Sequence, residues 1–392
     1  MAAFGQQIRF IHFDRYQDAW LEFDAPRAAA LLAPTTDRSR SGHGARVERG
    51  TIAGLAHRME QAARPTLRRL SGIGLRAVGR AARVARFGSG DTIVLLGDTA
   101  TQRGTKQLVD ATRGGGCRLV AMCYDLIPWR LPHYFSDAAS VQRFCENLVG
   151  LLPHVDAMIV PSHATARDLQ AFAAERDQPA PNVKVIALGS NSADLAAPRQ
   201  PEWADALLAS GFVLCVGTVQ VRKNHRLLYN VWRRMAERGV PAIPPLVLAG
   251  DAGWLTGDVR SLIANDPLTR DRIRLTGAID DAELAWLYRH CRFSVYPSLY
   301  EGWGLPVAEG LAAGRPCIAS SSSSIPEAGA GLATLVDPLD FAGWYEAVCR
   351  HAGDDAFVRD CVDRIKRAPP LLDWNAAAQG FVALLGGVAR AA

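Results

Sequence analysis

Short apolar runs alternate with stretches whose apolar positions recur every three to four residues, nearly from end to end of the chain. That alternation predicts parallel strands joined by helices. A first set of strands is expected at Ile8–Phe13, Thr92–Leu96, Arg118–Cys123, Ala157–Val160 and Val183–Leu188. A second is expected at Phe212–Val216, Leu246–Ala249, Arg272–Leu275, Phe293–Tyr296, Pro316–Ala319 and Ala333–Val336. These runs are apolar on both faces, as strands covered by helices on two sides must be.

Between the two sets lies Gly189–Pro201, rich in small and turn-forming residues and poor in periodicity. The expected domains are therefore residues 1–195 and 207–370, each a doubly wound, Rossmann-like α/β unit. A helical segment, 371–392, is expected to return to the first domain. Two such domains leave a cleft at the carboxyl ends of both sheets, where folds of this kind bind ligands.

The length of 392 residues suits two domains, and 49% hydrophobic with 21% charged residues excludes a disordered or fibrous chain. No apolar stretch reaches the ~18–20 residues that cross a bilayer, and Met1–Phe13 lacks a signal-peptide pattern, so a cytoplasmic protein is expected. Eight cysteines without paired spacing read as reduced, mostly buried thiols. The net charge of +5 is too mild for generic nucleic-acid binding. It is unevenly spread: seven arginines fall between Arg64 and Arg86, with no acidic residue from Gln61 to Gly90. At helical spacing Leu75, Val78, Ala82 and Ala85 oppose Arg76, Arg80 and Arg83. This basic amphipathic helix reads either as a core-packed helix with a solvated face or, over Arg68–Arg86, as a contact to an anionic membrane surface.

Two stretches carry chemistry. Tyr296–Gly314 reads as strand, glycine loop and helix, the helix starting near Pro306. Gly302 and Gly304 let backbone approach a ligand, and the amides of Leu305, Pro306 and Val307 are expected to face an anion. Glu301 in the loop and Glu309 about one turn into the helix can face one bound molecule, an arrangement suited to sugar hydroxyls. Val213–His225 again reads as strand, glycine turn and helix start, with Gly217, Thr218 and the cations Arg222 and Lys223 at the strand's carboxyl end. Adjacent cations there are badly placed for a core and well placed for a diphosphate.

The Glu301-x7-Glu309 spacing around Gly302-Trp303-Gly304-Leu305-Pro306, the Gly217–His225 run and Leu275–Tyr288 together resemble retaining glycosyltransferases of family 4, which have the GT-B fold. The resemblance is strong over about residues 210–340 and weaker upstream. It implies that Arg222 and Lys223 hold a donor diphosphate and that Glu309 holds ribose hydroxyls. Glu301 and the following amides would hold the transferred sugar, while Gly277, Ala278 and Ile279 would line the base. In the first domain it points to Gly42 and Gly44 as a glycine loop, and to Tyr124, Asp125 and Ser162. The chain departs from many members in having Thr218 where an arginine follows the glycine, Gln220-Val221 where a Glu-Pro pair stands, and Tyr124 where they have histidine.

The reading is a metal-independent hexosyltransferase with no cofactor. Its donor would be a nucleotide diphosphate sugar, GDP-mannose favoured, and its acceptor a glycan or lipid-linked oligosaccharide in surface polysaccharide synthesis. No Asp-x-Asp triplet is present to ligate a metal beside the diphosphate. Trp129, His133 and Tyr134 read either as acceptor platforms or as packing. The alternatives are a degenerate nucleotide-sugar-binding subunit, or an epimerase or phosphorylase of the same fold. Dehydrogenase and P-loop readings fail for want of their glycine signatures.

Overall fold

The structure, a computed structural model, describes residues 10–14, 19–23, 83–84, 86–88, 90–96, 105–190, 197–205, 207 and 211–388. Its first elements depart from expectation. β1 (Phe10–Asp14) pairs antiparallel with β2 (Ala19–Phe23), which pairs antiparallel with β3 (Arg83–Val84). The run expected to open the first parallel set is instead half of a hairpin. Only residues 15–18 separate the two strands, whereas parallel pairing needs a crossover of about a dozen residues or more. The expected basic helix is corrected at one point: Arg83 and Val84 extend along β2, opposite Glu22 and Leu21. Residues 64–82 lie outside the described residues, as do Gly42 and Gly44.

β4 (Thr92–Leu95), β5 (Arg118–Met122), β6 (Ala157–Val160) and β7 (Val183–Val185) form a parallel sheet in chain order. One face carries Ile93, Leu95, Leu119, Ala121 and Met158 against Leu148 of the helix Ala138–Leu151 and Phe172 of the helix His163–Glu175. The other face, with Val120, Met122 and Ile159, is covered by Trp374, Phe381, Leu384 and Leu385 of the final helix, Trp374–Val388. That helix returns to the first sheet as expected. Gly189 permits the approach, since a Cβ there would stand 2.4 Å from the Trp374 nitrogen.

The second sheet contains β8 (Val213–Val216), β9 (Leu246–Ala249), β10 (Ile273–Gly277), β11 (Phe293–Tyr296), β12 (Cys317–Ser320) and β13 (Thr334–Val336), all parallel. Its spatial order is β10-β9-β8-β11-β12-β13, which in chain order of these six is 3-2-1-4-5-6. This is the doubly wound order of dinucleotide-binding folds, and direction reverses between β8 and β11. Alternate residues face opposite layers: Val213, Cys215, Leu246 and Leu248 meet Trp232 and Trp344, while Leu214, Val247 and Ala249 meet Trp286 and Tyr288. Both chemistry-bearing stretches begin at this switch point, where folds of this kind bind ligands.

Candidate active site

β8 runs into Gly217, whose φ of +143° turns the chain out of the sheet. Gly250 lies hard against this turn, because a Cβ on it would stand 2.1 Å from the Gly217 carbonyl oxygen. A single helical turn, Val221–Lys223, follows, and Asn224 in the left-handed region lets the helix His225–Glu237 start in a new direction. The Asn224 amide donates to the carbonyls of Pro297 at 3.3 Å and Pro338 at 2.9 Å. This fixes Arg222 and Lys223 beside the loop that leaves β11.

That loop brings Glu301 to the cations. Arg222 Nη1 lies 2.6 Å and Lys223 Nζ 2.8 Å from Glu301 Oε1. The hydroxyls of Ser298 and Tyr296 donate to the same oxygen at 2.5 and 2.8 Å, and Lys223 Nζ also donates to the Tyr296 hydroxyl at 2.7 Å. Lys223 and Glu301 are 3% and 7% exposed. Burial by itself pushes the Glu301 carboxyl up, but Arg222, then Lys223, with hydrogen bonds from Lys223 and Ser298, outweigh it and hold the group at about 2. A carboxylate and two cations leave this cluster of three with one net positive charge.

The sequence placed Arg222, Lys223 and Glu301 in one site, and the structure brings them into direct contact. It also shows that Glu301 is the counter-ion of the cation pair, a role the spacing did not suggest. Glu309 is also buried, and its Oε2 accepts from the Tyr288 hydroxyl at 2.9 Å. The helix Leu305–Ala312 begins at Gly304, in a left-handed conformation with φ +117°. Its expected anion-binding amides are reduced by two. Pro306 has no N–H, and the Val307 N–H already donates to the Gly304 carbonyl at 3.0 Å. Gly277, with φ +67°, borders open space, whereas Ile279 is partly buried against the apolar cluster to which Trp286 and Leu287 belong.

The first domain backs this loop. A Cβ on Gly302 would stand 2.0 Å from the Tyr124 carbonyl oxygen and 2.8 Å from Asp125 Cβ, so only glycine fits. Ser162 and Thr165 donate to the Gly302 carbonyl at 2.8 and 3.1 Å. Glu327 reaches back, accepting from the backbone N–H groups of His163 and Ala164 at 2.8 and 2.9 Å. Trp303 and Leu305 insert into the apolar cluster of the first sheet and final helix. Ser162 is therefore fully buried behind the loop, where it also caps the helix His163–Glu175. The Tyr124 hydroxyl donates to the Leu96 carbonyl, and the Asp125 side chain accepts from the Ile127 N–H. Trp129 sets its ring edge against buried Phe172, 5.6 Å between centroids, which is the packing alternative. Tyr134 accepts through its carbonyl from Trp254 Nε1 at 2.7 Å, a second bridge between the domains.

The residues missed from sequence are mostly hydroxyls. In Ser320–Ser324, five consecutive serines, Ser322 donates to the Leu299 carbonyl and Ser323 accepts from the Glu301 N–H. Ser324 donates to the carbonyls of Glu301 and Trp303, both at 2.8 Å. The unbroken run was the available signal.

Residues 211–354 match the family described as glycosyl transferases group 1. The chain is 32% identical over 147 residues to O-antigen chain mannosyltransferase B of Escherichia coli, covering 38% of each chain. It is 24% identical over 275 residues to the serotype-specific mannosyltransferase WbdA of Escherichia coli, covering 68% of this chain and 34% of the relative. The matches span little more than a third of these relatives' length. Among solved structures, Anabaena Alr3699/HepE in complex with UDP and glucose is similar at TM-score 0.59 and 19% identity, covering 76% of this chain and 78% of that one. The segment that carries β8–β13 and the Arg222–Lys223–Glu301 cluster thus belongs to the group 1 glycosyl transferases, within a GT-B fold.

Proposed function

We propose that the chain is a retaining hexosyltransferase that moves mannose from a nucleotide diphosphate sugar, GDP-mannose favoured, to a glycan or lipid-linked glycan. The observation that supports it best is the contact of Arg222 and Lys223 with Glu301 at 2.6 and 2.8 Å, at the reversal point between β8 and β11. The mannosyltransferase relatives favour the sugar.

The donor diphosphate would lie against Arg222 and Lys223, whose charge stabilises the departing phosphate without a metal, the role a cation pair is fitted to fill. Glu309, held by Tyr288, would accept from ribose hydroxyls, and Gly277 would leave room for the base. The acceptor hydroxyl would attack from the leaving-group side, its proton passing to the departing phosphate. Glu301 would hold the charges in register and receive sugar hydroxyls; it is not cast as a nucleophile, unlike the carboxylate of retaining hydrolases.

The test is a screen of nucleotide sugars by thermal shift, followed by release of free nucleotide with and without glycan acceptor in the presence of a chelator. A ligand at ~100 times its dissociation constant adds ~2.7 kcal/mol of stability, which such a screen resolves. Stabilisation by GDP-mannose and acceptor-dependent, chelator-resistant release are expected. Release independent of any acceptor would contradict transfer, and loss of release with the chelator would contradict metal independence.

A further inference from the structure

Tyr296 ends β11 at the switch point and is 3% exposed. Its ring belongs to an apolar cluster with Val307 and Leu311, from the helix that carries Glu309, and with Cys317 and Ala319 of β12. Packed on two sides, the ring has one place to put its hydroxyl. That oxygen accepts from Lys223 Nζ at 2.7 Å and donates to Glu301 Oε1 at 2.8 Å. The Nζ also lies over the ring, 5.1 Å from its centroid, a contact that a phenylalanine would keep.

We propose that Tyr296 is the positioning residue of the cation clamp, its hydroxyl bonded to both Lys223 and Glu301 so that the ammonium has a second fixed partner beside the carboxylate. A lysine stem has many rotamers, and a cation that must reorient as charge develops on a leaving phosphate stabilises it less than one already fixed. Among the partners of Lys223 are a carboxylate on a loop and a phenol packed at the end of a strand, which together restrict where the ammonium can sit. Ser298 and Arg222 hold the same Glu301 oxygen from other directions, and the Arg222 guanidinium has no acceptor to offer the ammonium. The inference deepens the transferase reading and rests on it.

The experiment is Tyr296→Phe, which keeps the ring and removes one oxygen. Turnover, KM for the nucleotide sugar and melting temperature are measured on the full chain, with Tyr296→Trp as a variant that keeps a hydrogen-bond donor but no acceptor. Hydrogen bonds to charged groups contribute about 1.5–3 kcal/mol, so a fall in kcat of roughly tenfold to a hundredfold is expected for Phe. KM should stay near wild type, the melting temperature should fall by several degrees at most, and Trp should not restore kcat. Unchanged kcat in the Phe variant overturns the proposal. So does a joint loss of kcat, affinity and melting temperature, which would mark the hydroxyl as merely structural. If wild-type protein turns over no nucleotide sugar, the transferase reading falls and this inference falls with it, an outcome distinct from the other two.

Discussion

The hydroxyl of Ser162 donates to the carbonyl of Gly302 at 2.8 Å, joining residues 140 positions apart and the two α/β units. Together with Thr165 on the same oxygen and Glu327 on the start of the His163–Glu175 helix, it makes the first domain the wall against which the Glu301 loop is shaped.

The double substitution Ser162→Ala, Thr165→Val leaves that carbonyl without either donor and removes a helix cap. An unsatisfied buried group costs about 1–3 kcal/mol and a lost cap about 1 kcal/mol. The urea midpoint should fall accordingly; an unmoved midpoint would show that water replaces both hydroxyls at no cost.

Glu301→Gln leaves Arg222 and Lys223 together with no carboxylate between them. Breaking a buried ion pair from one side costs about 3–5 kcal/mol, and loss of a preorganised charge at the site costs ~10²-fold or more in kcat. Lys223→Ala should lower turnover similarly. Near-normal nucleotide release in either variant would remove these residues from the chemistry.

Two acid-sensitive groups divide the pH range. Burial, and then the Lys223 charge, push buried His225 down to about 4 from 6.5, so the folded state excludes a proton that the unfolded state binds. Its stabilisation is complete above pH 6.5 and is lost on acidification towards 4. Glu301, at about 2 against 4.5 unfolded, keeps its contribution above pH 4.5 and loses it towards 2. Denaturant titrations across pH should show His225→Gln flattening the upper window and Glu301→Gln the lower one.

Gly302→Ala should be among the most damaging single changes in the loop, because the new methyl meets the Tyr124 backbone at 2.0 Å. A clash with main chain is not relieved by a side-chain rotation. Turnover and melting temperature should both drop, whereas Gly88→Ala, with open space around its Cβ position, should leave both alone.

Tyr288→Phe takes the hydroxyl from Glu309 without emptying the core. Weaker nucleotide binding, by roughly tenfold on the energy of one bond to a charged group, is expected, with kcat at saturation kept. Isothermal titration with the free nucleotide separates the two effects.

What the sequence disclosed follows its physics. Ala157–Val160, Leu246–Ala249 and Phe293–Tyr296 form strands with the expected bounds because each is a continuous apolar run buried on both faces. The cation pair and Glu301 were legible because charges at strand ends have few structural uses. Ile8–Phe13 was misplaced because an apolar run does not announce its partner; His12, Asp14 and Glu22 were the polar positions that pointed to a hairpin. The serine run was overlooked for a related reason. A hydroxyl that binds a distant main-chain carbonyl has no periodicity, and its partner is known only once the chain has folded.

The last helix shares a cluster with Trp303 and Leu305, immediately after Glu301. The helix Trp374–Val388 is thus packed behind the loop that carries Glu301. Removing residues from Trp374 onward would uncover Val120, Met122 and Ile159 together with Trp303 and Leu305, so a cut there reaches the Glu301 loop as well as the first sheet.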